Sequence, residues 1–517
     1  MKAGYVSSEA LLLDRRGAPL SELRVNAKVR QLEWVALADV SPAMTAALVA
    51  AEDKRFWEHD GVDWTGMAVA AWDSVWRIVD GRRPRGGSTL TMQLAGHLEP
   101  ALRPKGGDPR TFAQKWDQAE AAVAIERAWT KREILEAYLN LSSYRGELRG
   151  LRAAAQGLFA KAPDGLDARE AAILVALLRG PGAKPALVAQ RACAVANDVN
   201  AGADCDAIRA TASMALAGAY RMPPRWNLAP HLAVKLLKSP GARVTTTLDA
   251  ELQTYAVATL ADHLAELAGR GVQDGAIVVL DNATGDVLAW VGSSGETSGA
   301  AQVDGVVAPR QAGSTLKPFL YALAFERGVA APGTRLLDLP WAAPDWEPSN
   351  FDRTFRGPVP ASEALSASLN VPAVRLAASL EAASPGRGAL AACLERLGLR
   401  HVRGVGRDAG VDLALGTDDV TPLELAAAYA TLARGGLALE AGILDGPVPG
   451  ASRRVLSAGA CALVTRILAD PSRARPAGAP LGGVAWKTGT SSRRRDAWAA
   501  GRYADELAPV PITNRKT

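Results

Sequence analysis

Met222-Pro-Pro-Arg-Trp-Asn-Leu-Ala-Pro230 carries three prolines in nine residues and cannot run as regular helix. It separates two parts of the chain with different periodicities. Residues 38–220 are rich in Ala and Leu, with repeated helix signals and little strand-like alternation. From about Val272 onward, alternating and β-branched segments are interleaved with helical ones. Such a chain folds around separate cores, and 517 residues is room for two or three of them. We expect 1–37 to be an N-terminal strand segment, 38–220 a helical domain, 221–271 a linker, 272–501 a second domain and 502–517 an atypical tail.

Local signals place the elements. Ser41-Pro42 puts a capping serine before a proline at the first helical position, ahead of the apolar run Met44 to Ala51. Thr130-Lys-Arg-Glu133 is a capping-box pattern before Ile134, Leu135, Tyr138 and Leu139. A further amphipathic helix is expected over 164–176, stopped by Gly180-Pro181-Gly182. In the second part, Gly275 to Leu280 and Asp286 to Trp290 flank Asp281-Asn-Ala-Thr-Gly285, a strong hairpin signal. Helices are expected at 251–267, 314–327, 361–380, 387–397, 420–434 and 457–469, and a strand at 483–486. Alternating strands and helices predict a sheet with helices on its faces.

Apolar types make up 48% of residues and charged types 22%, which excludes a disordered, collagen-like or coiled-coil chain. The net charge of +5 fits an anionic substrate or membrane surface, and no element concentrates the basic residues as a nucleic-acid binder would. No stretch of 18 apolar residues spans a membrane, and the first 20 residues lack the apolar core of a signal peptide. Of four cysteines, Cys193 and Cys205 flank a short Asn/Asp/Gly stretch. They are open to two readings, a bridge formed in an oxidising compartment or two buried thiols. Five scattered histidines make no zinc motif.

Two constellations carry chemistry. Glu52 and Asp53 are adjacent acids at the end of an apolar helical run, a placement suited to general-base work. Arg85-Gly-Gly-Ser88-Thr89-Leu-Thr-Met-Gln93 is a glycine turn into a hydroxyl-rich helix start. Its N–H groups, with Ser88, Thr89 and Gln93, can hold phosphate oxygens; an ordinary serine cap accounts for Ser88 equally well. Ser314 and Lys317, three apart, lie on one helix face, where a desolvated lysine can activate the hydroxyl. Ser368-Leu-Asn370 and Lys487-Thr488-Gly-Thr490-Ser491 complete the Ser-x-x-Lys, Ser-x-Asn, Lys-Thr-Gly set.

In this order the segments resemble bifunctional class A penicillin-binding proteins, the class C type in particular. The resemblance covers about residues 10–500. The first glycosyltransferase motif is matched by Glu52, Asp53, Phe56, His59 and Gly61. The second is matched by Gly86, Ser88, Thr89, Leu90, Thr91 and Gln93, and the fourth by Lys131, Ile134, Leu135, Glu136, Tyr138, Leu139 and Asn140. Gly150, Ala153 to Ala155, Phe159, Lys161 and Pro163 resemble the fifth. The third departs: Gln114, Lys115 and Gln118 stand where the family has Arg, Lys and Glu, and Gly96 replaces a usual basic residue. Phosphate binding then leans on Arg85, Lys115 and Arg103 or Arg110.

The resemblance implies a multidomain chain: a mainly α, lysozyme-like glycosyltransferase domain, then a mixed α/β penicillin-binding, β-lactamase-like transpeptidase domain. The first would polymerise lipid II into glycan strands with release of undecaprenyl diphosphate. Glu52 would be its base, and Asp53, His59, Arg85, Ser88, Thr89, Gln93, Lys115 and Gln118 its substrate contacts. The second would cross-link stem peptides and bind β-lactams. Ser314 would be the nucleophile, Lys317 its base and Ser368 the proton relay. Asn370, Lys487, Thr488 and Thr490 would hold the substrate, and the amides of Ser314 and Thr490 the oxyanion. No metal ligands are implied, and a divalent cation such as Mg at the diphosphate is the one optional cofactor. The implied location is the periplasmic face of the bacterial inner membrane, with the membrane surface and cell-wall synthesis proteins as partners and no nucleic acid. The implied N-terminal anchor is not among these residues. After Ser491 the family has two further strands that fill the sheet, and Pro509 and Pro511 break the one apolar patch of the tail. We therefore expect an incomplete second domain whose Lys-Thr-Gly strand is unsupported. That leaves two alternatives: a glycosyltransferase with an impaired transpeptidase domain, or a non-catalytic cell-wall scaffold.

Overall fold

A computed structural model of the chain describes residues 2–66, 88–102, 112–218, 220, 222–341, 347–383, 388–402, 411–444, 452–470, 472, 484–503 and 508–515. They form two compact units, one of 1–10, 24–224 and 238–242, the other of 11–23, 225–237 and 243–517.

The first unit is helical. Its helices are α1 (Pro42–Glu52), α2 (Leu90–Leu98), α3 (Phe112–Ala128), α4 (Lys131–Leu141), α5 (Leu151–Phe159), α6 (Ala168–Leu178), α7 (Pro185–Val199) and α8 (Cys205–Leu216). The Ser41 hydroxyl caps α1 from Ala43 N–H, and Thr130 and Glu133 form the capping box of α4, as the sequence predicts. Residues 163–165 make a separate 3₁₀ turn, and α6 starts four residues later than expected because Asp167 caps it from Arg169 and Glu170 N–H. From Ala171 to Leu177 every residue of α6 is buried. A helix apolar all round must lie inside its unit, and Met44 and Leu48 of α1 and Val188 and Ala192 of α7 share its core. Cys193 and Cys205 form a disulfide between α7 and α8.

The second unit takes in residues that the sequence assigns to its flanks. Strands β1 (Glu9–Leu13), β2 (Pro19–Arg24) and β3 (Arg243–Thr245) form a three-stranded sheet in the order β2-β1-β3. Residues 221–271 are therefore not a linker. Pro230, at the first helical position, opens α9 (Pro230–Leu236), and α10 (Ala250–Leu267) covers one face of the main sheet. That sheet runs β6 (Val484–Thr490), β7 (Asp496–Tyr503), β8 (Ala508–Arg515), β4 (Val272–Leu280), β5 (Val287–Val291), and its neighbours are all antiparallel. Ala256, Leu260 and Leu264 of α10 meet Ile277, Val279, Leu288 and Val291. The remaining helices are α11 (Lys317–Glu326), α12 (Ala361–Ser366), α13 (Asn370–Ala383), α14 (Ala389–Arg396), α15 (Pro422–Ala433) and α16 (Ala458–Leu468).

Two further expectations are corrected. The tail is not outside the sheet: β8 lies between β7 and β4, so neither β4 nor the Lys-Thr-Gly strand is left unpaired. The prolines leave their mark on pairing. β8 pairs with β4 from Ala508 to Arg515, whereas its ladder with β7 covers Ile512 to Asn514 and stops before Pro511. A proline brings no N–H to a ladder. The single helix expected over 361–380 is broken between α12 and α13, where Ser368 takes φ +58°.

Gly416 and Gly313 make a close backbone approach in the second unit. A Cβ on Gly416, at φ +69°, would stand 1.9 Å from Gly313 O, whereas one on Gly398, at φ +93°, would meet nothing within 4 Å. Gly398→Ala should cost about 1–2 kcal/mol of backbone strain. Gly416→Ala should add about 1–3 kcal/mol of overpacking. Thermal unfolding of the two variants should rank them in that order; equal losses would mean that the approach is relaxed in solution.

Candidate active sites

In the helical unit α1 delivers Glu52 at its last residue. Gln93 Nε2 of α2 donates to Glu52 Oε2 at 3.1 Å, and Tyr138 Oη of α4 donates to Gln93 Oε1 at 2.9 Å. Arg179, just past α6, donates through Nε to Glu52 Oε1 at 2.8 Å and also bonds Ala51 O. The Glu52 side chain is 10% exposed. Burial, with the negative charge of Glu52 second, raises the Tyr138 phenol's pKa far above its usual value, so it donates throughout the physiological range.

Asp53 turns the other way. Its carboxylate accepts from His59 Nε2 at 3.1 Å and from Leu90 N–H, the first amide of α2, at 3.0 Å. Thr89 caps the same helix from Met92 N–H and donates to Gly61 O at 2.6 Å. The helix start expected to cradle phosphate thus already holds the protein's own carboxylate, and the cap is Thr89 rather than Ser88. Lys131 of α4 bonds His59 O, pairs with Glu126 at 2.8 Å and lies 4.5 Å from the centre of the Phe56 ring. Glu136 and Asn140 bind the 34–37 segment through Trp34 Nε1, Leu37 N–H and both backbone groups of Val35.

The remaining expected contacts are dispersed. Lys115 is exposed on α3. Gln118 is buried, donates to Leu102 O at 2.6 Å, and its Oε1 has no partner among the described residues. Its donor serves a backbone carbonyl. Arg85, Gly86, Arg103 and Arg110 lie outside the described residues. Among the described residues no three His, Cys, Asp or Glu side chains gather as a metal-ligand set.

In the second unit Ser314 lies in a 3₁₀ turn, Gly313–Leu316, that runs into α11 at Lys317. Lys317 is fully buried. Its Nζ donates to Ser368 O and Asn370 Oδ1, both at 2.7 Å, and stands 3.4 Å from Ser368 Oγ. Burial first, then the charge of Lys487, holds its pKa well below the usual lysine value. The left-handed turn at Ser368 aims that carbonyl at Lys317. Behind it, Asn350 donates to Asp338 and to Thr354 O and accepts from Asn370 N–H at 2.8 Å. Asn370 Nδ2 is bonded to Ser349 O.

Ser314, Ser368, Asn370, Thr488 and Thr490 line one cavity of about 800 Å³. Lys487 is not on its wall; it is buried, and its Nζ bonds Thr488 O at 2.7 Å. Gly489 lines the cavity, but the space on the side where a side chain would start is filled by protein. A Cβ there would lie 2.7 Å from both Ala312 O and Thr315 Cγ2. Gly313 is equally close to Thr490, so the amides of Ser314 and Thr490 come from touching segments. Trp498 Nε1 donates to Gln311 O at 2.9 Å, Gln311 Oε1 accepts from Ser492 N–H at 2.6 Å, and Arg310 pairs with Asp496 at 3.2 Å. The Lys-Thr-Gly strand is therefore seated on the nucleophile segment, contrary to expectation.

Sequence reasoning missed Arg179, Asn350 and Asp338. Arg179 stands directly before Gly180-Pro181-Gly182, a signal that reads as a helix stop and says nothing of what its side chain reaches. Asn350 and Asp338 carry no motif at all.

Both families of domain are matched directly. The transglycosylase family covers residues 16–200, and the penicillin-binding protein transpeptidase domain covers 275–501. The chain belongs to the penicillin-binding proteins that join these two domains in one polypeptide. It is similar to penicillin-binding protein 1C of Escherichia coli K12, at 38% identity over 484 residues, covering 90% of this chain and 60% of that protein. It is also similar to penicillin-binding protein 1B of Vibrio cholerae, at 30% identity, covering 90% of this chain and 63% of that one. The chain thus spans about three-fifths of the length of these relatives. The crystal structure of penicillin-binding protein 1A from Haemophilus influenzae shares the fold, with a TM-score of 0.57 at 18% identity over 99% of this chain and 88% of that one.

The lowered pKa of Lys317 has a measurable consequence. The unfolded chain binds this proton more tightly than the folded one, so stability falls as pH drops from the ordinary lysine range toward the folded value, then levels off. Lys317→Met removes that term. Relative to wild type the variant should gain up to about 1.4 kcal/mol for each pH unit descended within this window. Chemical denaturation across alkaline to neutral pH checks it; parallel stability curves would mean that Lys317 is solvated.

Proposed function

We propose that this chain builds peptidoglycan with two activities, glycan polymerisation in the helical unit and peptide cross-linking in the other. What carries the reading is one coincidence. A single chain holds a carboxylate fixed at a helix end by Gln93 and Arg179, and a serine beside a buried lysine on a cavity lined by Ser368, Asn370, Thr488 and Thr490.

In polymerisation Glu52 takes the proton of the 4-hydroxyl of the acceptor sugar. That oxygen forms the new bond to C1 of the lipid-linked sugar as the bond to the diphosphate breaks, and undecaprenyl diphosphate leaves. Gln93 and Arg179 hold the carboxylate for this transfer. Asp53 and His59 brace the start of α2, and Arg85 and Lys115 supply positive charge to the diphosphate. Asp53 is already occupied by His59 and Leu90.

In cross-linking the Ser314 hydroxyl attacks the carbonyl of the penultimate residue of a stem peptide, and neutral Lys317 takes its proton. The amides of Ser314 and Thr490 hold the oxyanion. The terminal amino acid departs, protonated through Ser368, leaving an acyl-serine. An amine of a neighbouring stem then takes the acyl group. Thr488 and Thr490 receive the substrate carboxylate. A β-lactam would acylate the same serine.

We place this work at the periplasmic face of the inner membrane. The Cys193–Cys205 disulfide supports an oxidising compartment. Trp57, Trp64 and Trp116 are each more than half exposed, which supports contact with the membrane interface. No helix among the described residues is long and apolar enough to cross a membrane.

Lipid II supplied in detergent, with glycan length followed by gel, tests the polymerase half. Glu52→Gln keeps the shape and removes the base, and its single amide oxygen accepts from one of the two donors, Gln93 and Arg179, rather than both. Polymer yield should fall by about 10²- to 10⁴-fold. Unchanged yield would remove Glu52 from this role, and absence of polymer from folded wild-type protein would favour the scaffold.

A further inference from the structure

The cavity before Ser314 has four walls: the nucleophile segment, the Ser368–Asn370 turn, Thr488 to Ser492, and Val411 to Thr417. Among the described residues on these walls only Asp412 carries a charge; the others are hydroxyls, amides, glycines and apolar groups. Lys317 and Lys487 are absent from them. Asp412 is half-buried, and its Oδ2 accepts a hydrogen bond from Thr417 Oγ1 at 3.3 Å. No cationic side chain among the described residues pairs with it.

The carboxylate is fixed relative to the nucleophile. Asp412 belongs to a 3₁₀ turn anchored by buried Leu413 and Ala414. That turn leads into Gly416, whose carbonyl accepts from Gly313 N–H at 2.9 Å, and Asp418, whose carbonyl accepts from Ala312 N–H at 3.1 Å. The backbone next to Ser314 is thus bonded to the segment that carries Asp412. A half-desolvated carboxylate with one hydroxyl partner is left short of donors, and an entering cation would supply them.

We propose that Asp412 receives a primary ammonium group of the peptide substrate and makes the cavity selective for amine-bearing chains. This rests on the acyl-transfer reading of Ser314 above. Two sources share the chemistry: an amino side chain on the acylating strand, and the amine of the incoming acceptor.

The test uses the full chain as wild type, Asp412→Asn, Asp412→Glu and Ser314→Ala, with two arms. In the donor arm, acylation rates are compared for benzylpenicillin and ampicillin, which differ by one amino group. In the acceptor arm, release of the acyl-enzyme made from an acyl-D-alanine thioester is followed in water and with added glycine amide. In one arm Asp412→Asn should lower the preference for the amine-bearing probe by about tenfold, as for one charge-assisted hydrogen bond, and Asp412→Glu should retain most of it. The arm that responds identifies the source. Unchanged ratios in both arms, with Ser314-dependent labelling present, would overturn the proposal. Slowed release in water alone would overturn it too, by making Asp412 a base for hydrolysis. If benzylpenicillin gives no Ser314-dependent labelling of wild type, the acyl-transfer reading falls and takes this proposal with it.

Discussion

Lys317 is a lysine buried without a carboxylate partner among the described residues, and the arrangement of the second unit around it follows from that constraint. Removing an ammonium from water without a counter-ion is costly, so the group gives up its proton more readily. What remains is an amine that still needs hydrogen-bond partners. Ser368 O and Asn370 Oδ1 provide them. Ser368 does so by adopting a left-handed backbone that few non-glycine residues take, and this breaks what would have been one helix into α12 and α13. The strain persists because Asn350, itself held by Asp338, fixes Asn370 N–H. The same burial that loosens the lysine's hold on its proton therefore dictates the turn that presents Ser368.

The helical unit solves a related problem with opposite charge. Two adjacent carboxylates at the end of α1 would repel each other if they faced the same way. Asp53 is drawn to the start of α2, where the Leu90 amide and His59 satisfy it. Glu52 is drawn to Arg179 and Gln93. The pair is thus split by its partners: Asp53 holds the start of α2, and Glu52 is left for the base role proposed above. Arg179 reaches Glu52 because α6, buried from Glu170 to Leu177, ends beside α1.

Much of this was legible in the sequence because it is local. The caps at Ser41 and Thr130, the hairpin at 281–285, and the Ser314–Lys317 spacing depend on residues a few positions apart. What escaped was set by distant chain. Gly489 is small because Ala312 and Thr315 crowd it from another segment. Residues 221–271 looked like a linker because their prolines forbid a long helix, yet Pro230 starts a short one and α10 covers the sheet. The tail was discounted because two prolines in an apolar patch argue against a strand. That rule concerns donors to a ladder, and the ladder with β7 stops short of Pro511 while that with β4 continues.

Gln118 shows where a family pattern and a structure part ways. An ionised carboxylate at that position, buried as Gln118 is, would face Leu102 O with lone pairs rather than a donor, and repulsion would follow. Glutamine reverses that contact, because its Nε2 donates at 2.6 Å. The amide is therefore suited to holding α3 against the 100–102 turn, and poorly suited to a departing diphosphate from its observed rotamer. Its Oε1 is left buried without a partner among the described residues, which biases the side chain toward any rotation that brings a donor to that oxygen. In the proposed polymerisation the charge that an acid would help to neutralise then rests on basic side chains, Arg85 and Lys115, rather than on Gln118.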